Sequence, residues 1–292
     1  MVARDCRAGG RTMLRIGCVK YLNSRPLIHG WKGEVDFDHP SALCKKLSAG
    51  ALGVALVSSF EFLRNPIYQI VDDISISSNG PVYSVVVAHH GEIAEVEEIK
   101  LDPASETSGN LLRCLIAERG LSPRLAERST AAWPTAAELR TGRRAQLFIG
   151  DQAIRFRQQY GDEFSVWDLG EQWTKLFNLP FVYALWLVRP EVADPKQIAN
   201  SLRKLRDENL ANLDDLIANA VAGRGLSRRA SKAAGDDPGE CKGIDREFLS
   251  RYYRENLRFR FAEKEKEGLR CFANLCVKHG LLPTRDLVFR MV

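Results

Sequence analysis

The densest run of hydrogen-bonding side chains is residues 102–109, DPASETSG, where Ser105, Thr107 and Ser108 stand with Gly109 between a strand-like run and an apolar helical one. Hydroxyl donors and free N–H groups at a helix N-terminus suit a carboxylate or a phosphate. A plain helix cap, Ser105 with Thr107 or Ser108 around it, accounts for part of this pattern, but three hydroxyls exceed what one cap needs. A second cluster, Tyr21-Leu22-Asn23-Ser24-Arg25-Pro26, follows the first apolar run and opens a helix. Asn23 offers two donors and an acceptor there, and Arg25 a cation for an anionic ligand. The competing reading makes Asn23 a helix cap and Arg25 a solvated side chain. Ser58-Ser59 ends another apolar run, and Ser84 follows Asn79-Gly80-Pro81, a sequence that is turn chemistry first. Gly150-Asp151 closes a further run and opens a helix, so Asp151 is either a cap or a cleft carboxylate. In the aromatic-rich stretch 167–186, Trp173 and Phe181 are candidates to wall a cleft, and the other rings read as core.

Other chemistries lack their residues. His89-His90 has neither the i, i+4 spacing nor the Cys or Asp partner of a metal site, and no metal is expected. No GxGxxG follows a strand, and neither GxxxxGK[ST] nor GxSxG occurs, which argues against dinucleotide, P-loop and nucleophile-elbow hydrolase readings.

The polar clusters need elements to hold them. From Leu14 onward, short apolar β-branched runs alternate with helical stretches, which predicts an α/β fold with βα units on a largely parallel sheet. Strands are expected at 14–19, 35–37 and 54–57, with helices from about 24, from 40 to Gly50 and over 60–64. The two longest apolar β-like runs, 82–88 and 181–188, enclose a self-contained set: strands near 99–101, 146–149 and 164–167, and helices over 106–119 and after 151. This layout predicts a two-lobed binding fold, with 13–88 and 182–292 as a discontinuous first lobe and 89–181 as an inserted second lobe. Ligand would lie between the lobes, and closure would hinge near 82–88 and 181–188. The strand-end hydroxyls then face the cleft, where α/β folds place their ligands. Beyond residue 190 the chain reads as helical, at 195–221, 245–258 and 261–279. Residues 224–243 read as a surface loop and 1–12 as a frayed extension.

With 292 residues, 45% hydrophobic and 27% charged, the chain reads as soluble and globular, with length for roughly two domains. The balance of 42 basic and 37 acidic side chains leaves +5, largely scattered, which disfavours a nucleic-acid partner; a membrane partner is not expected either. Seven cysteines without CxxC spacing, mostly within apolar runs, read as buried thiols in a reducing compartment. Residues 1–12 contain no apolar stretch of a secretory signal, and a cytoplasmic location is expected.

Taken in order, VKYLNSRPL (19–27), GVALVSSFEFLRNP (53–66), SSNGPVYSV (77–85), LDPASETSGNLLR (101–113), FIGDQAI (148–154) and DLGEQWTKLFNLPFVYALW (168–186) resemble the chorismate dehydratases of the futalosine route to menaquinone. The resemblance implies a two-lobed fold like that of type II periplasmic binding proteins, with mixed sheets and a helical C-terminal region. It implies a hydro-lyase that converts chorismate to 3-[(1-carboxyvinyl)oxy]benzoate and water without a cofactor. By position in the matched motifs, Asn23 grips the reacting part of the substrate and Ser59, Ser84, Ser105, Thr107 and Ser108 bind carboxylate. Arg25, Gly150, Trp173 and Phe181 are further expected contacts. The base is either Asp151 or a carboxylate of the substrate itself, since an amide cannot serve at neutral pH. The sequence departs from the family pattern at Lys20, where Ser is usual, and at Ser58, where Pro is usual. Two alternatives share this fold: a non-catalytic binding protein for a small anionic ligand, and the sister dihydroxynaphthoate synthase. The Thr-Thr pair and essential His of the sister enzyme have no clear counterpart, and His29 or His39 lining the cleft would favour it.

Overall fold

Runs such as IGCV and VALVS have no polar face, and such strands are stable only where both faces of their sheet are covered. They form β1 (Ile16–Val19) and β3 (Val54–Ser58), both buried along their whole length. The computed structural model describes residues 14–127, 136–140, 142–223 and 244–292. The predicted extension 1–12 and loop 224–243 lie outside the described residues.

With β2 (Val35–Asp38), β4 (Gln69–Ser78) and β10 (Phe181–Val188), these strands make a five-stranded sheet in the order β2-β1-β3-β10-β4. The second sheet has the order β7-β6-β8-β5-β9, from β5 (Val85–His89), β6 (Glu98–Leu101), β7 (Arg124–Glu127), β8 (Arg144–Ile149) and β9 (Ser165–Asp168). Both sheets are mixed, and in the same way. β1 runs parallel to β2 and β3, while β10 runs against β3 and β4. β6 runs parallel to β7 and β8, while β5 runs against β8 and β9. In each sheet the reversed strand is the one by which the chain arrives from the other lobe.

Helices flank the sheets. In the first part of the chain they are α1 (Arg25–Ile28), α2 (Pro40–Ser48) and α3 (Ser59–Arg64). The inserted part contributes α4 (Glu106–Glu118), α5 (Ala136–Leu139), α6 (Gly150–Tyr160) and α7 (Leu169–Phe177). After β10 come α8 (Pro195–Ala211), α9 (Leu213–Val221), α10 (Arg246–Arg251), a π-helical turn over Tyr252–Asn256, and α11 (Glu263–Lys278).

Three expectations are corrected. Residues 85–88, assigned from sequence to the first lobe, pair with β8 and β9 and so belong to the second sheet. The long strand that leaves the first lobe is β4, passed over because Asp72, Asp73 and three serines interrupt its apolar pattern. Those residues suit a sheet edge. Asp73 adopts φ 62, and its carboxylate receives Arg206 at 2.9 Å and Arg260 at 2.6 Å. On the same outer edge Ser77 and Arg258 exchange backbone bonds, Ile70 N–H donates to the Arg290 carbonyl, and Asp72 N–H donates to that of Val292. Finally, the predicted helix 195–221 divides at Asn212, which terminates α8 and precedes α9.

One carboxylate ties the outgoing crossover to the start of α7. Asp168 caps α7 by accepting the N–H groups of Gly170 (3.0 Å) and Glu171 (3.1 Å). It also accepts those of Val82 (3.0 Å) and Tyr83 (2.8 Å) from the outgoing crossover. Tyr83 has φ 67, a conformation bulky residues rarely adopt, and the Arg157 guanidinium lies 3.7 Å from its ring centroid. The return passes through Asn178 at φ 52, a left-handed cap that ends α7 before Pro180 and β10.

Among the described residues, Cys18, Cys44, Cys114, Cys271 and Cys276 are free thiols. No described helix is long and apolar enough to cross a membrane.

Candidate functional site

A cleft of about 550 Å³, part of it open to solvent, lies where β1, β3 and the outgoing crossover meet the starts of α4 and α6. Its polar wall is Tyr21, Asn23, Ser58, Ser84, Ser105, Ser108 and Tyr183, with Gly150 and apolar residues such as Val19, Val57 and Ile149 completing it. No charged side chain lines it among the described residues.

Asn23 sits on a 3-10 turn, Leu22–Ser24, that leaves β1. Ser24 folds this turn back, its hydroxyl lying 2.7 Å from the Val19 carbonyl and 2.8 Å from that of Tyr21. From the start of α6, Asp151 Oδ1 accepts the Leu22 N–H at 2.9 Å, and the Tyr253 hydroxyl donates to the Leu22 carbonyl at 2.8 Å. The turn is therefore clamped from both sides. Asn23 Oδ1 is buried yet has no hydrogen-bond partner, so its carboxamide holds unsatisfied capacity at the cleft.

Gly150 has a reason to be glycine. Its φ is +56, and a Cβ there would lie 3.0 Å from the Tyr21 ring. Its N–H donates to the Ser84 carbonyl at 2.7 Å, which joins the start of α6 to the start of β5. Asp151, the next residue, is buried behind the wall and faces Leu22. Burial pushes its carboxyl up to about 6, against the pull of the Leu22 N–H and of the Arg155 and Arg25 charges.

At the start of α4, DPASETSG forms a helix cap whose hydroxyls also reach the cleft. Ser105 is the cap, its Oγ accepting the Ser108 N–H at 3.2 Å. The Ser105 hydroxyl also donates to Ser108 Oγ at 2.9 Å, which leaves the Ser108 proton for another acceptor. Both serines line the cleft.

Other expected contacts lie elsewhere. Ser59 and Thr107 are buried in the seam: Ser59 donates to the Val182 carbonyl at 2.7 Å, and Thr107 Oγ1 accepts the Phe60 N–H at 3.0 Å. Thr107 also pairs closely with Ser58, whose side chain does reach the cleft. Trp173 and Phe181 do not wall the cleft. They are fully buried, with ring centroids 5.0 Å apart and Phe272 packed against both. The aromatic side chains at the cleft are Tyr21 and Tyr183. Arg25 is buried at the start of α1, where its charge acts on Asp151 and His29. Neither His29 nor the exposed His39 lines the cleft, and neither does Lys20.

Ser58, Tyr21 and Tyr183 line the cleft beyond the residues expected from the sequence. Ser58 ends β3 and Ser59 begins α3, so the two side chains leave in different directions, Ser58 to the cleft and Ser59 to the Val182 carbonyl.

The description Menaquinone biosynthesis belongs to the family that matches residues 14–278. A chorismate dehydratase of Thermus thermophilus is 30% identical over 277 residues, covering 88% of this chain and 93% of that protein. A protein of known structure from Archaeoglobus fulgidus superposes with a TM-score of 0.68 at 16% identity, covering 92% of this chain and 98% of its own. The periplasmic aliphatic sulphonate binding protein SsuA of Escherichia coli superposes with a TM-score of 0.59 at 14% identity, covering 93% and 94%. The fold is thus periplasmic-binding-protein-like: two mixed sheets, each flanked by helices, with a cleft between them.

Proposed function

The chain belongs to the menaquinone biosynthesis family, and from that membership we propose that it is a chorismate dehydratase, a hydro-lyase that releases 3-[(1-carboxyvinyl)oxy]benzoate and water. The observation that carries the reading is the composition of the cleft wall. It offers neutral donors, Asn23, Ser58, Ser84, Ser105 and Ser108, and no charged side chain among the described residues. Chorismate is a dianion, and hydroxyls at helix starts bind carboxylates without a counter-ion.

The chemistry needs little else. The hydrogen that leaves is on a carbon joined through a double bond to the ring carboxylate, so donors on that carboxylate also stabilise the charge that deprotonation builds. The proton goes to a base, the neighbouring C–O bond breaks, hydroxide leaves with a proton as water, and the ring becomes aromatic. In this reading Asn23 holds the departing hydroxyl, supported by its unpartnered Oδ1 at the cleft. Asp151 faces Leu22 and not the cleft, which supports a carboxylate of the substrate as the base. Holding the ring with its reacting atoms aligned and excluding water are the remaining tasks.

Incubation of the purified protein with chorismate is expected to yield 3-[(1-carboxyvinyl)oxy]benzoate, followed by mass-resolved chromatography. No product from a well-folded protein overturns the reading.

Asp151 carries a second expectation. Its carboxyl is raised from 3.8 to about 6 in the folded chain, so the native state binds this proton more tightly than the unfolded one. Its stability contribution is therefore complete below 3.8 and lost as pH rises through about 6. Asp151→Asn keeps an acceptor for the Leu22 N–H without the titration. Thermal unfolding should show the variant gaining on the wild type between about pH 4 and about pH 7, by an amount of order 2 kcal/mol. A constant difference across that range refutes the assignment, and loss of turnover in the folded variant restores Asp151 as the base.

A further inference from the structure

The π-helical turn Tyr252–Asn256 interrupts the chain directly after α10, and such turns are rare and concentrate at functional sites. Its first two residues reach two walls of the cleft. Tyr252 is fully buried, and its hydroxyl donates to Ser84 Oγ at 2.8 Å; Tyr253 donates to the carbonyl of Leu22, next to Asn23. The Tyr252 ring stacks on Phe248 with centroids 5.7 Å apart and planes at 14°, so the phenol has a fixed direction.

A serine hydroxyl accepts through its lone pairs and donates through one proton. Tyr252 supplies the proton of its bond with Ser84, so the Ser84 proton is not consumed by that bond. The Ser84 backbone is fixed independently, by the Gly150 N–H on its carbonyl and by the left-handed Tyr83 before it. Burial raises the Tyr252 phenol well above its ordinary value, which keeps it a donor. A hydroxyl oriented in this way donates into the cleft, as Ser108 does under Ser105.

We propose that Tyr252 is a positioning residue, which by donating to Ser84 Oγ turns the Ser84 proton toward a carboxylate of the substrate. The proposal rests on the chorismate dehydratase reading and names a residue beyond the cleft wall.

The test is a double-mutant cycle on chorismate turnover with Tyr252→Phe, Ser84→Ala and the pair. Tyr252→Phe keeps the ring stack and removes one hydroxyl, and a thermal midpoint near the wild-type value verifies its fold. It is expected to raise KM about tenfold while kcat changes less than about twofold. The double variant should match Ser84→Ala alone, because Tyr252 acts only through Ser84. An unchanged KM in Tyr252→Phe overturns the inference, as does a double variant whose losses multiply. A fall in kcat and in the thermal midpoint, with losses that multiply, marks a general packing defect and likewise overturns it. Failure of the wild type to turn over chorismate is a separate result, and it overturns the function and this inference together.

Discussion

Asn23→Ala is expected to lower kcat/KM for chorismate by about 10²–10³-fold, the loss typical when one hydrogen-bonding group is removed from the reacting centre. The thermal midpoint should move by no more than about 2 °C. The two expectations come from one observation: Asn23 Oδ1 is buried at the cleft and has no partner within the protein. Truncating it removes no internal bond at that atom, and the fold loses little. The turn that carries it stays clamped through Leu22, whose N–H is held by Asp151 and whose carbonyl is held by Tyr253. Steady-state kinetics together with a melting curve check both parts. A loss under about threefold removes Asn23 from the reacting centre, and a large fall in the melting midpoint makes its role structural.

The largest effect on stability is expected at Asp168. Its carboxylate accepts four backbone N–H groups, from Val82, Tyr83, Gly170 and Glu171, and Arg157 lies 3.5 Å away. Asp168→Ala strands these donors and leaves the strained Tyr83 conformation without its tether. The cost should be about 3 kcal/mol, read from denaturant unfolding as a lower midpoint. Burial raises this carboxyl, while the N–H groups of Val82, Glu171 and Tyr83 and the Arg157 charge pull it down. Asp168→Asn should recover part of the loss, since its amide oxygen still accepts but its nitrogen does not. A cost below about 1 kcal/mol for the alanine variant would mean that the crossover is held by its other contacts, such as Thr174 with Gly80 and Asn256 with Pro81.

The parts of the site that were legible in the sequence are those set by local chemistry. DPASETSG reads as a helix start and is one, and YLNSRP reads as the opening of a helix after a strand and leads through a 3-10 turn into α1. What stayed hidden depends on which way a side chain faces or on what is far away in the chain. Ser58 and Ser59 are equivalent as residue types, and the boundary between β3 and α3 decides that Ser58 lines the cleft while Ser59 holds Val182. Trp173 and Phe181 belong to the right stretch, but an apolar ring gains more in a core with Phe272 than beside an anion. Tyr252 meets Ser84 across 168 positions, and Tyr253 meets Leu22 across 231. No local pattern announces such pairs. β4 was missed because the polar residues that obscure its periodicity are satisfied by α8 and by the segment before α11.

The outer margin of β4 has a consequence for the protein among its own copies. It ends the first sheet, and an exposed strand at that place offers a row of N–H and C=O groups on which another chain can add a strand. Here much of the row is covered: by residues 290–292 at Ile70 and Asp72, by Arg206 at the Asp73 carbonyl and by Arg258 at Ser77, while the Ser75 hydroxyl is held on the Arg260 carbonyl. The C-terminal residues thus act as a selvage on the sheet, and intermolecular strand pairing is blocked at the margin from which the chain departs for its second lobe.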